Sequence, residues 1–419
     1  FPMAFIFIFV GLVFGFIGIG YQVFYLMPYQ YFSLMTSVEL AAIALFLFMG
    51  YILEQSGLME RMFGALRIMM GGMRGSLYLI VMIVATVFAA ATGIVGASVT
   101  VLGVMAGPMM IRSGYDARLS AGTIAAGGTL GILIPPSVML IVMGPLVGVP
   151  VSDLFAAAFI PGLMLSATYL FYTLIRCYIN PALGPALDTT GLKYSRMDKL
   201  KELFFGILPI ATVIAATLGL ILGGITTPTD AAATGAFASL GLSLLHGRMG
   251  WKQFNTAVIR TMETTAFIMF LIGAANFFGA VFARLGSGAL VSEFLISLPV
   301  SPTVMLILIL LMIFALGGPL EWIPIVLVMV PIVLPVIKAM GIDLLWFCIL
   351  VAVTLQSAWL SPPLALSAVF LKGVVPQWSL RDIYIGMLQF VGLQAIVVAI
   401  LIMFPSIVTW FPRAVGLME

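Results

Sequence analysis

The residues best placed to do chemistry in this chain are polar groups that sit where long apolar runs break. Runs 75–112 and 302–340 are each nearly twice the length that crosses a bilayer, and Thr92-Gly93-Ile94-Val95-Gly96 and Gly317-Gly318-Pro319 interrupt them near the middle. Each therefore reads as a helical hairpin. Runs 118–149 and 343–375 are broken by Pro135-Pro136 and Pro362-Pro363, and proline removes helical hydrogen bonds and unwinds the backbone. At such a break one half-helix ends in unpaired carbonyls, partly negative, and the next begins with free N–H groups, partly positive. Carbonyls with nearby hydroxyls suit Na⁺, whereas N–H clusters suit an anionic substrate group. The first half offers Gly93, Gly96, Ser98 and Thr100 at its tip, with Thr129 and Gly131 at the facing break. The second offers Gly317, Gly318 and Glu321, with Gln356, Ser357 and Ser361 opposite. Two similar sodium sites are expected, one per half, formed by Gly93, Gly96, Ser98, Thr129 and Gly131 and by Gly317, Gly318, Gln356, Ser357 and Ser361. Ser98, Thr100, Gly318 and Glu321 are the candidate substrate contacts. A plainer reading of the same small residues is that they let helices pack closely.

Four carboxylates lie in or near apolar runs. Glu321 sits beside a hairpin tip at membrane depth, where an unpaired carboxylate is costly and usually functional. It would assist a cation site, exchange a proton or hold the tip together. Asp230 follows Thr227-Pro228-Thr229, a pattern of N-cap, proline at the first helical position and acid at the third, and reads as a structural cap. Glu39 and Asp153 lie just inside span starts, where acids favour helix N-termini. His246 is the only histidine, so paired-histidine metal sites are excluded, and no glycine-rich loop ends in Gly-Lys-Ser/Thr. The chain is therefore read as a non-enzyme that hydrolyses no ATP of its own. Cys177 and Cys348 are far apart in apolar surroundings and read as free thiols.

The elements that must position these groups are membrane helices. Of 419 residues, 63% are hydrophobic and 8% charged, against about 25% charged in a soluble domain. Continuous spans are expected at 2–27, 36–56, 151–179, 203–222, 228–246, 257–282 and 380–411. The start at Phe1, inside an apolar run, is what a trimmed chain would leave, and it says nothing of a signal peptide. Tracing sides along these spans gathers Arg61, Arg67, Arg74, Arg112, Arg118, Arg176, Lys193, Arg196, Lys199, Lys201, Arg248, Lys252, Arg260, Lys372 and Arg381 on one face. Only Arg284, Lys338 and Arg413 fall on the other, so the first face is cytoplasmic. The net charge of +3 thus reports topology and implies no nucleic-acid partner. The segment holding Arg61, Arg67 and Arg74 reads as an amphipathic helix against lipid on that surface. Lipid-exposed unwound backbone is not tolerated, so the breaks must face protein or water.

The chain also repeats itself. Pro108, Gly114, Asp116, Pro135 and Pro136 recur as Pro335, Gly341, Asp343, Pro362 and Pro363, each 227 positions on, and Gly50 and Gly57 recur as Gly279 and Gly286. The copies are separated by an odd number of crossings and so point in opposite directions. An all-α inverted repeat with two re-entrant hairpins and two broken helices is the architecture by which secondary transporters expose one midplane site to each side in turn.

Three stretches carry a more specific resemblance: Gly127-Gly128-Thr129-Leu130-Gly131-Ile132-Leu133-Ile134-Pro135-Pro136-Ser137, Gly223-Gly224-Ile225-Thr226-Thr227-Pro228-Thr229-Asp230-Ala231-Ala232-Ala233, and Ser361-Pro362-Pro363. Together they resemble the large membrane subunit of tripartite ATP-independent periplasmic (TRAP) transporters over nearly the whole chain, with Asp230 where the family usually has glutamate. The resemblance implies an elevator-type transporter of a bacterial or archaeal cytoplasmic membrane. On that plan residues 1–74 are scaffold and arm helices, 75–149 hold hairpin one and broken helix one of the transport domain, and 150–301 are scaffold and connecting helices. Residues 302–375 hold hairpin two and broken helix two, and 376–419 form a C-terminal scaffold helix. It further implies sodium-driven uptake of a carboxylate or sulfonate anion. Its implied partners are lipid, a periplasmic substrate-binding protein and a small four-span membrane subunit. A stand-alone sodium:anion symporter of the same superfold is the alternative.

Overall fold

Apolar runs punctuated by glycine, proline and charge fold here as helices throughout, and no strand occurs among the described residues. The computed structural model describes residues 3–93, 95–187, 195–362 and 365–417, without the side chains of Arg196 and Asp198. Ile94, Lys193 and Pro363 lie outside the described residues. The first half comprises α1 (Met3–Ile19), α2 (Gln22–Met35), α3 (Val38–Gln55), α4 (Leu58–Met70), α5 (Ser76–Thr92), α6 (Val95–Arg112) and α7 (Ala117–Thr129). A 3-10 turn at Leu130–Ile132 then leads to α8 (Val138–Val147) and α9 (Val151–Ile179). The connecting α10 (Arg196–Ile214) passes through a π-helical stretch into α11 (Leu220–Leu222).

The second half begins with α12 (Pro228–Leu245), α13 (Trp251–Arg284), α14 (Ser287–Ser297) and α15 (Pro302–Gly317). Next, α16 (Trp322–Pro324) runs through a π-helical stretch, Ile325–Met329, into α17 (Val330–Ala339). It closes with α18 (Leu344–Ala358), α19 (Leu366–Val374), α20 (Leu380–Met403) and α21 (Ser406–Ala414). Seven helices among the described residues are long and apolar enough to cross a membrane.

The repeat read from glycines and prolines governs local structure. Moved on by the same 227 positions that separate Thr129 from Gln356, α6 falls on the continuous helix Trp322–Ala339. The two aspartates of the repeat are equivalent caps: Asp116 Oδ1 accepts from Leu119 N at 2.8 Å and Asp343 Oδ1 from Trp346 N at 2.7 Å. Packing follows the same rule. α1 packs on α13 and α12 on α3, α7 packs on α20 and α18 on α9, α6 packs on α19 and α17 on α8. Each second contact is the first with the halves exchanged, which is what a two-fold axis produces.

Three expectations change. The span expected at 2–27 stops at Ile19, turns at Gly20 with φ +62° and restarts as α2, because a glycine inside an apolar run does not alter hydropathy. The span expected at 380–411 is likewise divided at Phe404-Pro405. The helix holding Arg61 and Arg67 buries Leu58, Met62, Phe63 and Leu66 against α5 and α10, so its apolar face covers protein rather than lipid. Its counterpart α14 buries only Ser292 and leaves Leu290 and Phe294 exposed.

Candidate functional site

The turn between α5 and α6 is short because Gly93 takes φ +63°, a left-handed conformation that glycine adopts without strain. Its N–H donates to Ala89 O, and a side chain there would put Cβ 2.5 Å from Pro136 O. Hairpin one is thereby seated on the Pro-Pro break of the facing helix. In the second half the chain turns over Gly318 to Glu321. Gly317 packs so closely on Ala358 of α18 that a Cβ would collide with it. The two tips use the same close approach with different chemistry.

Two adjoining cavities lie beside the tips. One, of about 190 Å³, is lined by the opening residues of three helices: Val95 and Gly96 of α6, Val138 and Met139 of α8, and Trp322 and Ile323 of α16. The other, of about 260 Å³, is lined by Gly317, Gly318 and Leu366, the first residue of α19. Phe267, Glu321 and Trp359 line both. Helix openings carry unpaired N–H groups and the positive end of the helix dipole, so their convergence favours an anionic group without a cationic side chain. Neither lining contains lysine or arginine. Thr264 of α13 also faces the smaller cavity, its hydroxyl 2.7 Å from Tyr51 Oη of α3.

The expected site residues fall into three groups. Gly93, Gly96, Gly317, Gly318 and Glu321 line the cavities. Thr129 and Gln356 meet behind them: Gln356 Nε2 donates to Thr129 Oγ1 at 3.2 Å, and the Thr129 hydroxyl donates to Ala126 O at 2.8 Å. Gln356 Oε1 is buried with no partner among the described residues, a lone acceptor whose desolvation costs about 1–3 kcal/mol and which a cation would satisfy. Gly131 is buried in the adjoining turn. Ser98 is buried inside hairpin one, 3.5 Å from Thr92 Oγ1, and Ser361 donates to Ala358 O at 3.2 Å.

The remaining two are placed elsewhere. The Thr100 hydroxyl donates to Gly96 O at 2.7 Å within its own helix. Ser357 donates to Val353 O and lines a separate apolar cavity of about 340 Å³ beside α15 and α20. Asp230 is the cap its pattern predicts: its N–H donates to Thr227 Oγ1 at 3.2 Å and the threonine hydroxyl returns a bond to Asp230 Oδ2 at 2.7 Å. Sequence reasoning did not single out Thr264, Phe267, Trp322, Trp359 or Phe370, all of which line the smaller cavity.

Known proteins share this frame. Residues 1–407 match the family described as "Tripartite ATP-independent periplasmic transporter, DctM component". The C4-dicarboxylate TRAP transporter large permease protein DctM of Rhodobacter capsulatus is 30% identical over 352 residues, covering 80% of this chain and 78% of that protein. The sialic acid TRAP transporter large permease protein SiaM of Vibrio cholerae is 27% identical over 377 residues, covering 89% and 86%. Among solved structures, the Alcanivorax borkumensis YdaH transporter superposes with a TM-score of 0.69 over 96% of both chains at 15% identity, a likeness of fold. The chain therefore belongs to the DctM family and is the large membrane subunit of a TRAP transporter, a multi-pass protein of the bacterial cytoplasmic membrane that transports and does not catalyse.

Proposed function

We propose that this subunit carries a small organic-acid anion, a carboxylate or sulfonate, inward across the membrane in symport with sodium. The observation that supports it best is the convergence of the α6, α8 and α16 openings on one cavity free of lysine and arginine. Backbone N–H groups hold the anion there. Sodium sits behind the tips, where Gln356 Oε1, Thr129, the Gly93 and Gly131 turns and the Ser98 and Ser361 hydroxyls supply oxygens, about two ions in all. The cavities lie between the tips on one side and Phe267 and Thr264 of α13 on the other. The two hairpins, re-entrant from opposite faces, move together against that wall as an elevator. α9 and α20 pack on the broken helices α18 and α7, so the moving unit takes them in as well, beyond boundaries drawn at residues 150 and 376.

A periplasmic binding protein delivers the substrate, and a small four-span subunit widens the scaffold. The test is uptake into proteoliposomes under an inward sodium gradient, with the cognate binding protein and small subunit present. Uptake that requires all three proteins and disappears in choline is the expected result. Equal uptake in choline would remove sodium coupling. Robust uptake by the lone chain would instead favour a stand-alone sodium:anion symporter.

A further inference from the structure

Glu321 is out of place in a site for a simple anion. It occupies the N-cap position of α16, yet its side chain makes no capping bond, and it has no ion pair or hydrogen bond among the described residues. Its carboxylate lines both cavities, where helix openings attract a negative group and Glu321 repels one. Aromatic side chains share its cavities: Phe267 and Trp359 line both, and Trp322 and Phe370 line the smaller one. Thr264 and Ser137 are the hydroxyl side chains that line the smaller cavity, and both are held in place by hydrogen bonds, Thr264 with Tyr51 and Ser137 to Ile132 O. Aromatic faces with one carboxylate and no competing basic group are the environment that recognises an ammonium, most strongly a methylated one.

We propose that the cleft is a zwitterion site, in which the openings of α6 and α8 take the carboxylate or sulfonate of the substrate and Glu321 with the aromatic rings of its cavities takes an ammonium group on the same molecule. This rests on the reading of the cleft as the substrate site and narrows its substrate to ammonium-bearing organic acids. A net-neutral substrate also resolves the electrostatic conflict, because each pole meets its opposite. The aromatic faces strip little hydration from a methylated ammonium, which is already weakly hydrated.

The test uses the chain with its small subunit in lipid nanodiscs, titrated in sodium chloride with glycine betaine and with 3,3-dimethylbutanoate, the isostere that replaces the ammonium nitrogen by carbon. Succinate serves as an anion without an ammonium. Glycine betaine should bind about tenfold more tightly than the isostere. Glu321→Gln should abolish that preference by weakening glycine betaine while the isostere, freed of the carboxylate's repulsion, binds at least as tightly as before, and Trp359→Leu should weaken glycine betaine more than the isostere. An unchanged thermal midpoint shows that each variant is folded. Equal or tighter binding of the isostere by the unmodified protein would overturn the proposal, as would a preference that survives Glu321→Gln. Sodium-dependent binding of succinate without binding of glycine betaine overturns the zwitterion site and leaves anion transport standing. Binding of none of the three in sodium overturns the zwitterion site, and uptake by the complete three-protein system then decides anion transport separately.

Discussion

The two hairpin tips occupy equivalent places in the repeat and solve the same packing problem with different chemistry. Hairpin one closes over a left-handed glycine pressed on Pro136 O, and its polar groups turn inward, with Thr92 facing Ser98. Hairpin two closes through Gly318 in ordinary right-handed backbone, φ −63°, and presents Glu321 to the cleft. On the proposed reading, one tip serves fit and the other recognition. Duplication supplied the frame twice, and only backbone-determined features, the Asp116 and Asp343 caps among them, stayed alike.

The largest effect should come from the tip built for fit. Gly93→Val forces a β-branched residue into left-handed backbone, which costs about 1–3 kcal/mol before the collision with Pro136 O is counted. It should abolish sodium-dependent uptake and lower the thermal midpoint, whereas Gly318→Ala should keep most activity; comparable losses at both positions would break the contrast. Next comes the pair behind the tips. Gln356→Leu removes the buried Oε1 and should raise the sodium concentration for half-maximal uptake by about tenfold, the ratio given by about 1.4 kcal/mol. Thr129→Val keeps that oxygen and should shift the value less, so a larger shift at Thr129 would place the cation on the other side of the pair.

Smaller, and deliberately equal, effects are expected from Asp116→Ala and Asp343→Ala. Each loses one N-cap worth about 1 kcal/mol, and unfolding in detergent should show the two losses agreeing within error. The smallest effect is assigned to Thr100→Val. That hydroxyl bonds within its own helix, so half-saturation for sodium and substrate should stay within about twofold, within the error of ordinary surface changes. A larger change would make Thr100 a ligand contact and return hairpin one to the role of recognition.

What could be read from the residues alone was whatever alters backbone geometry. Double-length apolar runs interrupted by glycine or proline marked the turns after α5 and α15, and prolines and glycines at a fixed offset marked the repeat, so the bounds of α6 map onto Trp322–Ala339. The turn at Gly20 escaped because its neighbours are as apolar as a span interior. Gln356 and Ser357 were grouped together, yet successive residues on a helix point about 100° apart, and only the first faces Thr129. The aromatic wall of the cleft was invisible for another reason. In a chain that is 12% aromatic, Phe267, Trp359 and Phe370 look like residues facing lipid until the fold brings them to the cavity that Glu321 also lines.

The bond between Gln356 and Thr129 joins residues that are each other's counterparts in the repeat, so it lies where the two halves meet at their axis. A hydrogen bond has a donor end and an acceptor end, and therefore cannot obey a two-fold axis that it crosses. The amide points its N–H into the first half and leaves its oxygen on its own side. Two cations bound on either side of this junction would meet different numbers of oxygens, so their occupancy would follow two unequal steps in a binding isotherm rather than one doubled step.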